Sequence, residues 1–158
     1  MTKDIHLTEF GSGGELSILG NDLVLSEELL QAVYLALFGG NVEASTKGNE
    51  LETEERLDWW ANSLLYPSEK TKQFNSFTEN ALSNIVLNSA GRIEIQRAVE
   101  KDLEFLANIA DVNVEVSIAT YNRLDIRVQL IKKSNQEEKN LQLVFDNASN
   151  EVLIYKEI

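Results

Sequence analysis

Strict alternation of apolar and polar residues in the last third of the chain constrains the fold more than any other feature. Apolar residues occupy every second position from Val112 to Ile118, and the same alternation returns from Leu124 to Leu130. A period of two gives a β-strand one apolar face and one polar face. The short segment from Thr120 to Arg123 can close the two strands into an antiparallel hairpin with one buried and one solvated face.

Two more strands are predicted beyond this hairpin. Leu141, Leu143 and Phe145 fall on alternate positions, and a fourth strand runs from Val152 to Tyr155 after a run of turn-forming residues at 146–150. The segment 111–157 is therefore predicted to form an antiparallel meander.

Residues with helical spacing precede this sheet. Ser26 is predicted to cap a helix over 26–38, whose apolar residues share one face and which ends at a pair of glycines. Ser76 and Glu79 fit a capping box at the start of a second helix. A break at 88–91 and a third helix from about Arg92 to Asn108 complete a helical region over 76–108.

The remaining segments have weaker patterns. Short strands are predicted over about residues 4–25, while 41–75 lacks a sustained period, carries the only proline and is predicted to be an irregular connection. The 158 residues are the length of one domain, 1–158. The fold class predicted is α+β, with an antiparallel C-terminal β-meander packed against two or three amphipathic helices and short N-terminal strands.

The charge balance restricts the partners. The chain has 14 basic and 26 acidic residues and a net charge of −12, which repels phosphate backbones and anionic membrane surfaces, so neither nucleic acid nor membrane is expected as a partner. Because cysteine is absent, disulfides and thiolate zinc sites are excluded, which favours a reducing cytoplasm. We expect neither a secretion signal at the N-terminus nor a membrane-spanning segment, since no run approaches about 18 apolar residues.

The sequence predicts that the protein is not an enzyme. His6 is the single histidine, and with no cysteine present the nucleophile-and-base pairs of serine and cysteine hydrolases are not expected. The glycines at 11–14 lack the lysine and hydroxyl of a phosphate-binding loop, and the acidic residues at 50–58 lack the spacing of a calcium loop. No catalytic residue, cofactor or metal site is predicted. The many carboxylates leave open a glycosidase-like pair of acids.

Trp59 and Trp60 stand together inside the irregular connection. Large aromatic side chains concentrate both in protein cores and at the centres of interfaces. Two adjacent residues do not easily both point inward from an extended segment. We therefore expect at least one of them to be buried in the chain, with contact to another protein as the alternative.

Several of these features occur in an order that resembles a known family. The opening strands lead into Leu23–Glu27 and the helical run 29–38; Asp58-Trp59-Trp60 follows; then come the break at Gly91-Arg92, the run 98–103 and the strand 122–128. This order and spacing resemble the Mu-type prophage baseplate proteins, relatives of the T-even phage baseplate wedge subunit that was once labelled lysozyme-like. The resemblance covers roughly residues 4–131.

The resemblance implies a structural role without catalysis. It implies a wedge component of a six-fold contractile-tail baseplate, which joins hub to sheath, has other baseplate, hub and sheath proteins as partners, and is found in a virion tail or tail-like particle assembled in the host cytoplasm. The T-even branch carries a Glu-Pro-Arg signature before its sheet. Residues 110–113 here have neither the proline nor the arginine, so a role of that signature is not transferred.

An open edge of the predicted sheet offers a physical means of assembly. Unpaired N–H and C=O groups on an edge strand can accept a strand from another subunit. Val152 and Ile154 in the last strand, together with Trp59 and Trp60, are the predicted interface residues. The alternatives are a small peptidoglycan glycan hydrolase and a stand-alone protein-binding adaptor of the same fold.

Overall fold

The computed structural model of the protein describes residues 4–5, 7–9, 14–16, 18–26, 29–38, 64, 66–69, 76–149 and 151–158. The predicted interface residues Trp59 and Trp60, the single histidine His6 and most of the predicted connection 41–75 lie outside these ranges.

The N-terminal part consists of very short strands in antiparallel pairs. The strands are β1 (Asp4–Ile5), β2 (Leu7–Glu9), β3 (Gly14–Leu16), β4 (Ile18–Leu19), β5 (Asp22–Leu23) and β6 (Leu25–Ser26). β1 pairs with β6, β2 with β3, and β4 with β5. Gly20 lies in the two-residue turn between β4 and β5 with φ of +69°, a conformation that glycine adopts without steric cost.

Three α-helices and one 3₁₀ helix follow among the described residues. They are α1 (Leu29–Phe38), α2 (Phe77–Asn84), α3 (Ser89–Asp102) and the 3₁₀ helix (Glu104–Asn108). The first helix is described over Leu29–Phe38, inside the predicted range 26–38. Ser26 itself belongs to β6 and pairs with Asp4. Because residues 27–28 lie outside the described ranges, its role as the N-cap stays a prediction.

The cap predicted for the second helix is present. Ser76 is the N-cap of α2, and its Oγ accepts a hydrogen bond from the Glu79 N–H at 2.9 Å. Such a bond satisfies one of the free donors of a first helical turn.

The start predicted for the third helix is wrong by three residues. Asn88 caps α3, since its Oδ1 accepts from the N–H groups of Ala90 and Gly91 at 3.0 and 2.9 Å. Gly91 therefore lies inside the helix and does not break it. A Cβ at this position would lie 2.1 Å from the Val86 carbonyl oxygen, so glycine lets α3 start against the chain that precedes it.

The predicted meander forms the C-terminal part of the described chain. Its strands are β7 (Ala110–Thr120), β8 (Arg123–Lys132), β9 (Glu138–Asp146) and β10 (Glu151–Glu157), hydrogen-bonded antiparallel in the order β10-β9-β8-β7. Thr120 pairs with Arg123 across a two-residue turn, as expected for the hairpin. The predicted α+β fold is therefore confirmed.

The helices cover one face of this sheet. The alternate apolar residues of the strands join the apolar stripes of the helices in one core, in which burial of each large side chain contributes about 1.5–3 kcal/mol. The sheet supplies Val114, Val116, Leu124, Ile126, Val128, Leu130, Leu141, Leu143 and Phe145, and the helices supply Leu29, Leu30, Val33, Ala36, Leu37, Ala81, Leu82, Ile95, Val99, Leu103 and Leu106.

Candidate docking edges of the sheet

β10 forms one edge of the sheet. It pairs with β9, and within the described ranges no strand lies on its other side. The Ile158 N–H donates to the Asn140 carbonyl at 2.8 Å. Because alternate residues of an antiparallel strand bond to the same neighbour, Lys156 also faces β9, while the backbone groups of Tyr155 and Glu157 point to the open side. β10 thus presents donors and acceptors that a further strand could use.

A bulge interrupts β10 where the interface residues were predicted. Val152 lies opposite Phe145 and Ile154 lies opposite Val144, so one extra residue, Leu153, stands between them. Val152 is half-buried and packs against the core. Phe145 and Val144 are consecutive residues of β9. Val152 and Ile154, which are two positions apart in the sequence, therefore pair with consecutive residues, and the register shifts by one between them. Their role at an interface stays a prediction.

The turn that leads into β10 is fixed by one carboxylate. Asp146 Oδ1 accepts from the N–H groups of Ala148 and Ser149 at 2.8 and 3.3 Å, and the exposed Arg123 lies 3.4 Å from Oδ2. The bond from the Ala148 N–H, followed by those from Ser149 and Arg123, holds the pKa of Asp146 below its ordinary value. The turn is therefore ordered most firmly when this aspartate is charged.

Charged side chains also mark the far end of β10. Lys139 Nζ lies 3.2 Å from a Glu157 oxygen and 3.9 Å from Glu137, which in turn pairs with Lys132 at 2.9 Å. The hydrogen bond from Lys132 is the main reason why the pKa of Glu137 is lowered. Charges at a strand end limit unspecific edge pairing and leave fewer partners that fit.

β7 forms the other edge and differs from β10 in its cover. Arg92, on α3, donates from Nη1 to the Val116 carbonyl at 3.1 Å. That carbonyl therefore points away from β8, and by the same alternation the N–H and C=O groups of Val112 and Val114 point outward as well. Arg92 covers the middle of the β7 edge, whereas the backbone groups of the first residues of β7 stay free to bond to another strand.

A buried polar junction joins the helices beneath the sheet. Asp102, at the end of α3, accepts from the Phe77 N–H at 3.0 Å through Oδ1 and from the Thr78 N–H at 2.7 Å through Oδ2. The Ser76 hydroxyl donates to the Leu37 carbonyl at the end of α1. Three helices thus meet at one set of hydrogen bonds.

The junction was not predicted from the sequence, although a signal exists. Asp102 follows Ile95 and Val99 at helical spacing and so falls on the apolar stripe of α3. Burial raises the pKa of Asp102, while hydrogen bonds from the backbone of Phe77 and Thr78, and the nearby Thr78 hydroxyl, act in the opposite direction. Thr78 Oγ1 itself makes no bond of full hydrogen-bond geometry. Since both Asp102 oxygens already accept N–H groups, the carboxylate serves packing.

The described ranges give no candidate for a metal centre or a membrane span. Within them, no group of three or more His, Cys, Asp or Glu side chains has a metal-binding arrangement. No helix in these ranges is both long and apolar enough to cross a bilayer. The acidic residues at 50–58 lie outside them.

Comparisons of the chain with protein-family models, with curated proteins and with solved structures gave no match.

Proposed function

We propose that this protein is a non-catalytic structural subunit of a contractile-tail baseplate wedge, which links hub to sheath and accepts a strand of a neighbouring subunit at the free edge of β10. The observation that carries the strand-addition step is the position of β10, which has one described neighbour and outward backbone groups at Tyr155 and Glu157. The assignment to a wedge is supported by the order of sequence features that resembles baseplate proteins.

Strand addition at β10 would provide both affinity and register. Each backbone hydrogen bond contributes a net free energy of about 0.5–1.5 kcal/mol, so a pairing of several bonds would hold a partner only together with other contacts. A six-fold particle supplies such contacts by repetition, because linked sites raise the effective concentration of one another. The net charge of −12 favours partners with basic surfaces and keeps free subunits apart.

The test is reconstitution of the full chain with contractile-tail sheath and hub proteins. Deletion of 152–155 should abolish particle assembly seen by electron microscopy, because it removes the edge. Since Val152 packs against the core, a milder variant is needed. Glu157→Pro removes one outward N–H without touching the bonds to β9, and edge strands tolerate proline at such positions.

Glu157→Ala is the matched control. It loses the same contact to Lys139 but keeps the backbone N–H. We expect assembly with Glu157→Ala and clearly weaker assembly with Glu157→Pro, while circular dichroism shows both folded. Assembly that survives the deletion of 152–155 would contradict docking at β10, and turnover of purified peptidoglycan by the full chain would contradict a non-catalytic role.

A further inference from the structure

A cleft of about 500 Å³ lies beside the start of β7. One wall is the end of α3 and the 3₁₀ helix, and the other is the start of β7 with Lys133. Leu103 and Ala110, both buried, and the half-buried Val112 give the cleft an apolar part. Clefts that combine an apolar part with a few placed polar groups are typical binding sites.

The cleft adjoins the open part of the β7 edge. The outward N–H and C=O groups of Val112 and Val114 make no hydrogen bond to any described residue, and the cover by Arg92 begins only at Val116. An extended segment laid along Val112 to Val114 would gain backbone bonds and bring a side chain over the cleft.

The charges of the cleft select the occupant. Its two lysines already have partners in the chain: Lys133 Nζ lies 2.7 Å from the Ala107 carbonyl and 3.2 Å from Asp111, and Lys101 Nζ lies 3.6 Å from the centre of the Phe77 ring. Both contacts hold the ammonium groups against the protein.

The carboxylates of the same wall are less occupied. Glu100 accepts one hydrogen bond, from the Gln96 amide at 2.9 Å, and Glu104 one turn later has no hydrogen bond or ion pair in the described part of the chain. Both side chains are exposed. The lining thus has three carboxylates, those of Glu100, Glu104 and Asp111, and two ammonium groups, so net negative charge borders the apolar part of the cleft. This combination suits a long cationic side chain with an alkyl stem.

We propose that this cleft binds a lysine or arginine side chain presented by an extended segment of a partner protein, which pairs with β7 along Val112 to Val114. The proposal concerns the opposite edge from β10 and stands independently of the proposed function. A second copy of the chain is a poorer occupant, because two molecules with a net charge of −12 repel each other.

The test uses the full ¹⁵N-labelled chain and synthetic peptides. The probe is an acetylated, amidated seven-residue peptide of alternating threonine and valine with lysine at its centre. Sister peptides carry norleucine or glutamate at the centre, and a further one has lysine with N-methylated backbone amides on either side. Titration followed by NMR should shift the amide signals of Val112, Val114 and Glu104. We expect the Kd of the lysine peptide to be at least about fivefold below that of the norleucine peptide.

Charge reversal separates the cleft from overall electrostatics. The double variant Glu100→Lys with Glu104→Lys should prefer the glutamate peptide. The control, Glu94→Lys with Glu151→Lys, changes the net charge equally at exposed positions outside the cleft and should keep the lysine preference. N-methylation should weaken binding because it removes donors to the β7 edge.

Four results would overturn the proposal. They are equal binding of the lysine and glutamate peptides, no binding of either, undiminished binding of the N-methylated peptide, and shifts that map to β10. Concentration-dependent self-association through β7, seen in the absence of peptide, would assign the edge to a second copy instead. Shifts at β10 would favour that strand as the docking edge, whereas the other results leave the assembly test at β10 unaffected.

Discussion

The two edges of the C-terminal sheet are protected in different ways. β7 is backed by α3 and the 3₁₀ helix, and Arg92 reaches from α3 to a carbonyl of the edge itself. No helix in the described part of the chain packs against β10 as closely as α3 packs against β7. β10 instead has a bulge, a charged end and a turn fixed by Asp146. The β7 edge is thus protected by a neighbouring helix, and the β10 edge by features of the strand itself.

This difference indicates which changes would expose each edge to pairing with another strand. An edge guarded by a helix is exposed when that helix shifts, whereas an edge guarded by a bulge and charges stays open to a partner with matching shape. Variants that act on the helix should therefore change β7 first, and variants that act on the turn should change β10 first.

The largest effect is expected from Gly91→Ala, which disturbs the helix behind β7. The new Cβ would meet the Val86 carbonyl at 2.1 Å and the Ile85 Cγ2 at 2.6 Å, so the start of α3 must move. We expect the free energy of unfolding to fall by about 2–3 kcal/mol in urea titrations.

Gly20→Ala provides the comparison for this variant. It lies in the β4–β5 turn with nothing within 4 Å of the added Cβ, and its cost of about 1 kcal/mol comes from the positive φ alone. Equal losses for both variants would show that close approach at Gly91 is unimportant.

Asp102→Ala should have the second largest effect, because it leaves the buried N–H groups of Phe77 and Thr78 without an acceptor. The expected loss is about 2 kcal/mol. Hydrogen exchange should show the loss in α2 before it reaches β10. Uniform loss across the molecule would mean that the junction and the sheet unfold as one unit.

The contribution of Asp102 to stability should also depend on pH. Because burial raises the pKa of Asp102 in the folded state above the ordinary value of 3.8, its contribution to stability is full below that value and is lost as the pH rises through the folded pKa. The stability of the unaltered chain relative to Asp102→Asn should accordingly decrease over this range. An unchanged difference between the two proteins across acid pH would contradict a raised pKa.

Arg92→Ala should have a smaller effect on stability and a specific effect on the β7 edge. Loss of the bond to the Val116 carbonyl should cost about 1 kcal/mol and leave an uncovered acceptor in mid-strand. We expect faster amide hydrogen exchange around Val116 in β7, measured by NMR. Arg97→Ala, at an exposed position on the same helix, should keep the exchange rates of the unaltered chain; if both variants behave alike, charge loss and not edge exposure is responsible.

Asp146→Ala should have the smallest effect, confined to β10. Loss of the bonds to Ala148 and Ser149 should speed hydrogen exchange in β10 and leave β7 unchanged. Since the pKa of Asp146 is lowered in the folded state, the protection it gives is present above its ordinary pKa of 3.8 and is lost as the pH falls through the folded value. Faster exchange in β7 as well would indicate that the two edges are coupled.

The sheet was predictable because its pattern is local and repeated. Residues 112–118 and 124–130 alternate without exception, and their pairing sets apolar residues opposite one another. The extra residue Ala119 forms a bulge between this ladder and the two-residue turn. Helix starts were less predictable: the break at 88–91 predicted a start near Arg92, whereas α3 begins at Ser89 behind the Asn88 cap.

The features that define the edges depend on distant residues. The contact of Arg92 with Val116 and that of Asp102 with Thr78 each join residues 24 positions apart. An arginine or an aspartate on a helix does not by itself predict such a distant partner. The bulge after Val152 likewise leaves the alternation in the sequence intact while it changes the register. Open backbone groups at a strand edge depend on the order of the strands, which no single segment encodes.

The bond between the Ser76 hydroxyl and the Leu37 carbonyl bears on what happens when the chain is cut. It joins α1 to α2 across the 38 intervening sequence positions, and α1 shares its apolar core with the sheet. This bond and the packing of α1 in the core therefore hold the helix in the fold in addition to the peptide chain. A chain cut between α1 and α2 should yield two fragments that co-elute in native chromatography and separate only in denaturant.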